Sequence, residues 1–427
     1  MTSEIDAGER EDLVEDIYDR AYESWQPNRV DVFRHYGLEV VLGPREGYEF
    51  EDLKTGAKII NMHINGGVFN LGHCNPEVRE ALVEGSALYD AGNHYFPSQV
   101  KMDFVEHLLR VSPDYMRYVN VNNGGGESID SAIKFARHAT GRRRVVTVHG
   151  CFHGATGFAM QAGSPDIAAF FDSTPSPEEF SQVDYDNLEQ LEETLKVGDV
   201  ACVLIESLPA TAGFPIPHEG YFKAAAELAH RYGALYIADE VQTGLMRSGT
   251  MWCSVGYGAE PDMIVTGKGL SGGYYPMSAV IMDERAASWL RDDGFAQTTS
   301  FSSSELGCYV ANKVLEITER PSTKENVDML TELFALRLAD IQARHAFLVG
   351  VRQRGVIMGL ELAHPKGSTA LMAALYRHGV WAMRANFDQH VLQFKAGLLM
   401  SAAMANRVLD ALDAALPEAA AMMGCED

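Results

Sequence analysis

Met263-Ile264-Val265-Thr266-Gly267-Lys268-Gly269-Leu270-Ser271-Gly272-Gly273 is a short apolar strand that runs into a glycine-rich turn, with a lysine at its mouth. Upstream, Ala234-Leu235-Tyr236-Ile237-Ala238-Asp239-Glu240-Val241-Gln242-Thr243-Gly244 is a second apolar strand ending in carboxylates, a valine and a glutamine. Further apolar strands are expected at 144–150, 201–207 and 277–282, separated by helix-length segments. One of these, 220–232, repeats Phe222, Ala225, Ala226, Leu228 and Ala229 near a 3.6 period. Near-continuous apolar strands alternating with helices predict an α/β fold with a mostly parallel sheet covered on both faces. Ligands of such sheets sit at the carboxyl ends of the strands. Asp239 and Lys268 are both at such ends.

The flanks read differently. Short strands at 38–49, 48–53 and 57–62 surround the turn Lys54-Thr55-Gly56, and the C-terminal third combines helices at 326–345 and 368–378 with strands at 356–361 and 391–394. Both ends are expected to form one smaller α+β domain, giving bounds of 1–70 and 311–427 for its two parts and 71–310 for the large domain. Residues 1–19 place Leu13, Ile17 and Tyr18 on one face of an acidic helix.

Composition narrows the function. The 427 residues are 46% hydrophobic and 22% charged, with a net charge of −24. That charge repels phosphates and so argues against nucleic acid or an anionic membrane as partner. The six cysteines show no metal-ligand or disulfide spacing, and Met1-Thr2-Ser3-Glu4-Ile5-Asp6 lacks the apolar core of a leader. A cytoplasmic protein is expected.

A buried lysine is costly to desolvate unless its amine is used. A lysine able to form a Schiff base, together with an acid able to hold a protonated ring nitrogen, is the minimal equipment for pyridoxal phosphate chemistry. Asn123-Gly124-Gly125-Gly126-Glu127 precedes an amphipathic helix, and its backbone N–H groups suit a phosphate. It is not a dinucleotide fingerprint, because Ile129 follows where a third glycine would stand, and Gly267-Lys268-Gly269 is not a Walker lysine, because no Ser or Thr follows it. In His149-Gly150-Cys151-Phe152-His153-Gly154, the aromatic ring could stack on a flat cofactor with Val241 on the other face. Taken singly, Phe152 and His153 read as core residues and Asp239 as a cap or surface acid.

Together these runs resemble a class III aminotransferase, of the ornithine and 4-aminobutyrate type, with the PLP fold type I. The resemblance covers about 38–400. It is carried by Asp239 to Gly244 with Arg247-Ser248-Gly249, by Pro261-Asp262 through Gly273, and by Asn70-Leu71-Gly72-His73, Phe152-His153-Gly154 and Ile205-Glu206. It implies a large domain with a mostly parallel seven-stranded sheet, and pyridoxal 5'-phosphate held by Gly125, Gly126, Phe152, His153, Glu206, Asp239, Val241, Gln242 and Lys268. Lys268 is implied to carry the Schiff base and the proton, Asp239 to pair with the ring nitrogen, and Gln242 to approach the ring oxygen. Thr299 or Ser300 is implied to close the phosphate site of a neighbouring subunit, hence a homodimer with shared sites.

The departures concern substrate. Relatives specific for amino acids carry an arginine at the position of Gln393, and a neutral amide cannot supply that charge-assisted fork. His63 and Asn65 are polar where the family's substrate entrance is often apolar. The expected function is therefore transfer of an amino group between a primary amine and a carbonyl acceptor, on a substrate such as an amino sugar or aminoglycoside intermediate. Arg384 or Lys395 is the counter-reading, as another way to bind a carboxylate. The alternatives are an isomerase, epimerase or dehydratase of the same fold and, more remotely, a non-catalytic cofactor-binding regulator.

Overall fold

Burial on both faces of the central strands dictates two helical layers. Val145, Cys202, Leu204 and Ile237 point to one face, where Ile129, Ala132, Ile133 and Ala136 of the helix Gly125–Thr140 cover them. Their neighbours Val146, Val203, Ile205 and Tyr236 point to the other face, against Phe222, Ala225, Ala226 and Ala229 of the helix Tyr221–Arg231. Each large aliphatic or aromatic side chain buried this way contributes about 1.5–3 kcal/mol. The computed structural model describes residues 7–426, so the leaderless reading of residues 1–6 lies outside the described residues.

The central sheet has seven strands in the spatial order Tyr118–Asn122, Ser278–Met282, Met263–Thr266, Leu235–Asp239, Val200–Glu206, Arg144–Val148, Phe180–Val183. Neighbours from Met263–Thr266 to Phe180–Val183 pair in parallel. Ser278–Met282, expected among the parallel strands, instead runs antiparallel to both of its neighbours. Only residues 267–277 join it to Met263–Thr266, and a parallel crossover needs about a dozen residues or more, usually including a helix. The chain turns back directly, which leaves Lys268 in the turn.

Both chain ends build the smaller sheets. Leu42–Glu46, Glu49–Asp52 and Lys58–Asn61 form a meander, which Val380–Trp381 joins in parallel with Val380 opposite Ile60. Leu348–Arg354, Ile357–Leu362, Val391–Lys395 and Met383–Arg384 form a second, antiparallel sheet. The Lys395 N–H donates to the Met62 carbonyl at 2.8 Å, which ties this sheet to the N-terminal segment. The helix Ala7–Ser24 packs Val14 and Tyr18 against Val30. Among the described residues no helix is long and apolar enough to cross a membrane.

Candidate active site

The strand Met263–Thr266 ends at Gly267, and Lys268 opens a short helical turn with φ 43°. Left-handed backbone is unfavourable for a lysine and persists only where the surroundings hold it, as at functional sites. The Lys268 carbonyl accepts from Ser271 Oγ at 2.6 Å. Burial lowers the Lys268 pKa, Glu206 and Asp239 act in the opposite sense, and Arg247 lowers it further.

Lys268 lines a cavity of about 140 Å³ with Gly125, Gly126, Phe152, His153, Gly154, Glu206, Asp239, Val241 and Gln242. Nine of the residues expected at the cofactor site therefore converge in one place from five separate stretches of chain. Parallel register explains part of this, since Glu206 stands opposite Asp239 at adjacent strand ends.

The two carboxyl groups differ in environment. Asp239 Oδ2 meets His153 Nδ1 at 2.7 Å, and its Oδ1 accepts from the Val241 N–H at 3.0 Å. Burial alone would discharge His153, but Cys151 and the Asp239 carboxylate outweigh it and hold the imidazole pKa well above its ordinary value. Glu206 Oε2 accepts from the Phe152 N–H at 3.1 Å and Oε1 from the Ala210 N–H at 3.3 Å. Burial, and then Asp239, push Glu206 up to about 7.

The cavity fits a flat ring bearing a phosphate. The helix Gly125–Thr140 starts after Gly124 with no side-chain cap, so its first N–H groups and its positive dipole end are free to meet an anion. A Cβ at Gly125 would stand 2.9 Å from Val241 Cγ1, and one at Gly126 would stand 2.9 Å from Thr156 Oγ1. Glycine keeps both approaches open. Gly66 does the same on another side, where a Cβ would stand 2.9 Å from Gln242 Oε1 and 3.3 Å from Lys268 Cε.

Five expected residues lie elsewhere. Thr299 and Ser300 do not line this cavity; their carbonyls accept from Asn93, and Ser300 is exposed. His63 and Asn65 line a cavity of about 530 Å³ beneath the N-terminal helices, walled by Tyr18, Trp25, Phe33, Phe69 and Trp381. That wall is more apolar than a site for a hydroxylated ligand requires. Gln393 is buried and its amide is engaged at both ends: Oε1 accepts from Lys395 Nζ at 2.5 Å, and Nε2 donates to the Arg384 carbonyl at 3.3 Å. It bridges Lys395 and Arg384 within the chain.

Sequence reasoning gave Arg247 no role and left Lys395 as a bare counter-reading. Both are buried within reach of the Lys268 charge. The signal for Lys395 was the one that exposed Lys268, a lysine closing an apolar strand, here Val391-Leu392-Gln393-Phe394-Lys395.

The aminotransferase class-III family model matches residues 40–416. An uncharacterized aminotransferase of Archaeoglobus fulgidus is 38% identical over 88% of this chain and 87% of its own length. An acetylornithine aminotransferase of Xylella fastidiosa is 30% identical over 88% of this chain and 90% of its own. The ornithine aminotransferase of Toxoplasma gondii, a solved structure, superposes with a TM-score of 0.83 at 22% identity, covering 96% of this chain and 99% of that one. The chain belongs to the class-III aminotransferases.

Proposed function

We propose that this class-III aminotransferase moves an amino group between a primary amine and a carbonyl acceptor at the Lys268 cavity, with pyridoxal 5'-phosphate as its cofactor. The observation that carries the reading is the convergence of Lys268, Asp239, Glu206, Gln242, Phe152, Val241 and the Gly125-Gly126 helix start on one small cavity. When bound, the cofactor supplies an electron sink for charge at the substrate carbon.

The chain's own groups have distinct tasks. Lys268 Nζ anchors the cofactor, then takes the proton leaving the substrate carbon and returns it. Its lowered pKa favours the neutral amine that can accept a proton. Asp239, fixed by His153 and the Val241 N–H, presents negative charge where a ring nitrogen would need it to stay protonated. Phe152 and Val241 would flank the ring, Gln242 would approach its oxygen, and the N–H groups at Gly125 and Gly126 would hold the phosphate. The exposed position of Ser300, away from its own chain's cavity, supports a homodimer in which Thr299 and Ser300 serve the neighbouring site. Six free cysteines support a reducing, cytoplasmic setting.

For the amine, the neutral Gln393 supports a substrate outside the plain α-amino acids, and His63 and Asn65 suit an amino sugar. The apolar wall beside them favours an amine with a bulky apolar portion instead. A half-reaction screen decides both points. Purified holoenzyme is mixed with amino acids, aminoglycosides and arylalkylamines, and its visible absorbance is followed. Bleaching to the amine form of the cofactor is expected with at least one class. Turnover with return of the original spectrum would indicate isomerisation or elimination and overturn the reading. A protein colourless even with added cofactor would overturn the site assignment.

A further inference from the structure

A second group of buried charges lies beside Lys268, and the cofactor residues leave it unused. Arg247 is 2% exposed; its Nη1 donates to the Gly66 carbonyl at 2.7 Å, while Nε and Nη2 are buried with no acceptor. Lys395 is 0% exposed; its Nζ donates to Gln393 Oε1 at 2.5 Å and stands 5.7 Å from the centre of the Phe214 ring. His63 Nδ1 is likewise buried without a partner.

Backbone hydrogen bonds fix these groups relative to one another. The Lys395 N–H donates to the Met62 carbonyl at 2.8 Å, next to His63. The Arg247 carbonyl accepts from the Val356 N–H at 2.9 Å, and the Val356 carbonyl accepts from the Ala396 N–H at 3.1 Å. Gly66, which receives Arg247, is the residue whose Cβ would stand 3.3 Å from Lys268 Cε. Arg247, Lys395 and Lys268 therefore lie close together.

No carboxylate among the described residues is ion-paired with Arg247 or Lys395. Burying two like charges without a counter-ion is costly, and a buried donor without an acceptor adds its own desolvation penalty. The helix start at Gly125 and Gly126 already provides for the phosphate. What this group of cations lacks is an anion. Arg247 supplies two unused N–H donors and Lys395 a compact ammonium, a donor set suited to a carboxylate.

We propose that Arg247 and Lys395 form the receptor for a carboxylate on the acidic member of the amine and carbonyl pair, with Gln393 as the positioning residue that holds Lys395 Nζ. The inference rests on the aminotransferase reading and names the class of one of its two substrates. Residues i and i+2 of a strand face the same side, so Gln393 and Lys395 share a face of Val391–Lys395. The amine two residues further on offers a replacement donor for the arginine absent at 393. A neutral amine and an acidic co-substrate are then compatible in one enzyme, each in its own half-reaction.

The receptor carries a proton signature. Burial, then Arg247 and Lys268, hold Lys395 well below the ordinary lysine range, and Glu206 offsets this only in part. His63 faces the same cations and is held well below its ordinary value, by burial first. An arriving carboxylate stabilises the charged form of either group, so its binding takes up protons and strengthens as pH falls.

The test measures binding apart from turnover. Glutarate, which has carboxylates but no amine or carbonyl, is titrated calorimetrically into holoenzyme in two buffers of different ionisation enthalpy. The wild type is expected to bind it with net proton uptake. Lys395→Met should weaken binding about tenfold or more, the loss of one charge-assisted hydrogen bond, and Lys395→Arg should recover most of it. The half-reaction with glutamate should slow by a similar factor through KM, and that with a primary amine lacking a carboxylate by clearly less. Should Lys395→Met fail to fold, Gln393→Leu, which releases Nζ, is expected to weaken glutarate binding in the same direction. Absence of glutarate binding in the wild type, or equal affinity in the variants, overturns the receptor. Absence of turnover with every uncharged amine would instead overturn the substrate reading, and the glutarate isotherms would still decide the receptor.

Discussion

Glu206→Gln separates the electrostatic role of that carboxyl from its hydrogen bonds. Burial, and then the Asp239 carboxylate, raise the Glu206 pKa from 4.5 to about 7, against the opposing pull of Lys268, His153 and the Phe152 N–H. A carboxyl whose pKa is higher in the folded than in the unfolded state binds more protons when native, so stability falls as pH rises between the two values. The difference of about 2.5, at about 1.4 kcal/mol for each, comes to about 3 kcal/mol fully expressed above about pH 7 and absent below about pH 4. Glu206 is only 4% exposed, so solvent does little to screen it. Glutamine retains an acceptor for one of the two N–H donors, at 3.1 and 3.3 Å, and loses the other. That loss is worth about 1 kcal/mol at any pH. The variant should therefore be about 1 kcal/mol less stable than the wild type near pH 4 and about 2 kcal/mol more stable near pH 8. Urea unfolding of the cofactor-free protein at the two pH values measures both numbers. A stability difference that does not change with pH would refute the argument that burial and Asp239 load this carboxyl.

Three further outcomes follow from the geometry. Asp239→Asn breaks the buried 2.7 Å pair with His153 and should cost about 3 kcal/mol at low pH. Because the His153 pKa is raised, that stabilisation is complete below the ordinary histidine value and is lost as pH rises through the folded one, so wild-type and variant unfolding curves should converge in alkali. Gly66→Ala places a methyl 2.9 Å from Gln242 Oε1 at a residue with φ +66°, and should cost about 1–2 kcal/mol in thermal unfolding with a larger proportional fall in kcat. Lys268→Ala and a Thr299→Ala, Ser300→Ala double variant should each be nearly inactive alone; activity recovered on co-refolding them is the expected sign of sites shared across a dimer, and no recovery would count against it.

How much was legible beforehand varied by residue. Lys268, Asp239 and Glu206 could be read because each closes an apolar strand, where a charge is conspicuous and the end of a parallel sheet is the usual place for a ligand. The helix over Gly125–Thr140 was visible from its period and its glycine start. The strand Phe180–Val183 and the helix Ala402–Met423 were not, the first being a short edge strand and the second an alanine-rich run interrupted by Pro417. The reversed direction of Ser278–Met282 could have been inferred from the shortness of its connection.

Side-chain patterning, with the family resemblance it carries, thus determined without any structure the class of fold and the cofactor chemistry, because both rest on local signals at strand ends. The partners of each charge were decided only by tertiary structure. Gln393 is spent on Lys395 and Arg384, Arg247 faces Gly66 with donors to spare, and His63 borders an apolar cavity, through contacts between segments hundreds of residues apart. Desolvation and pairing depend on what the folded chain brings alongside, and no pattern along the sequence encodes that proximity.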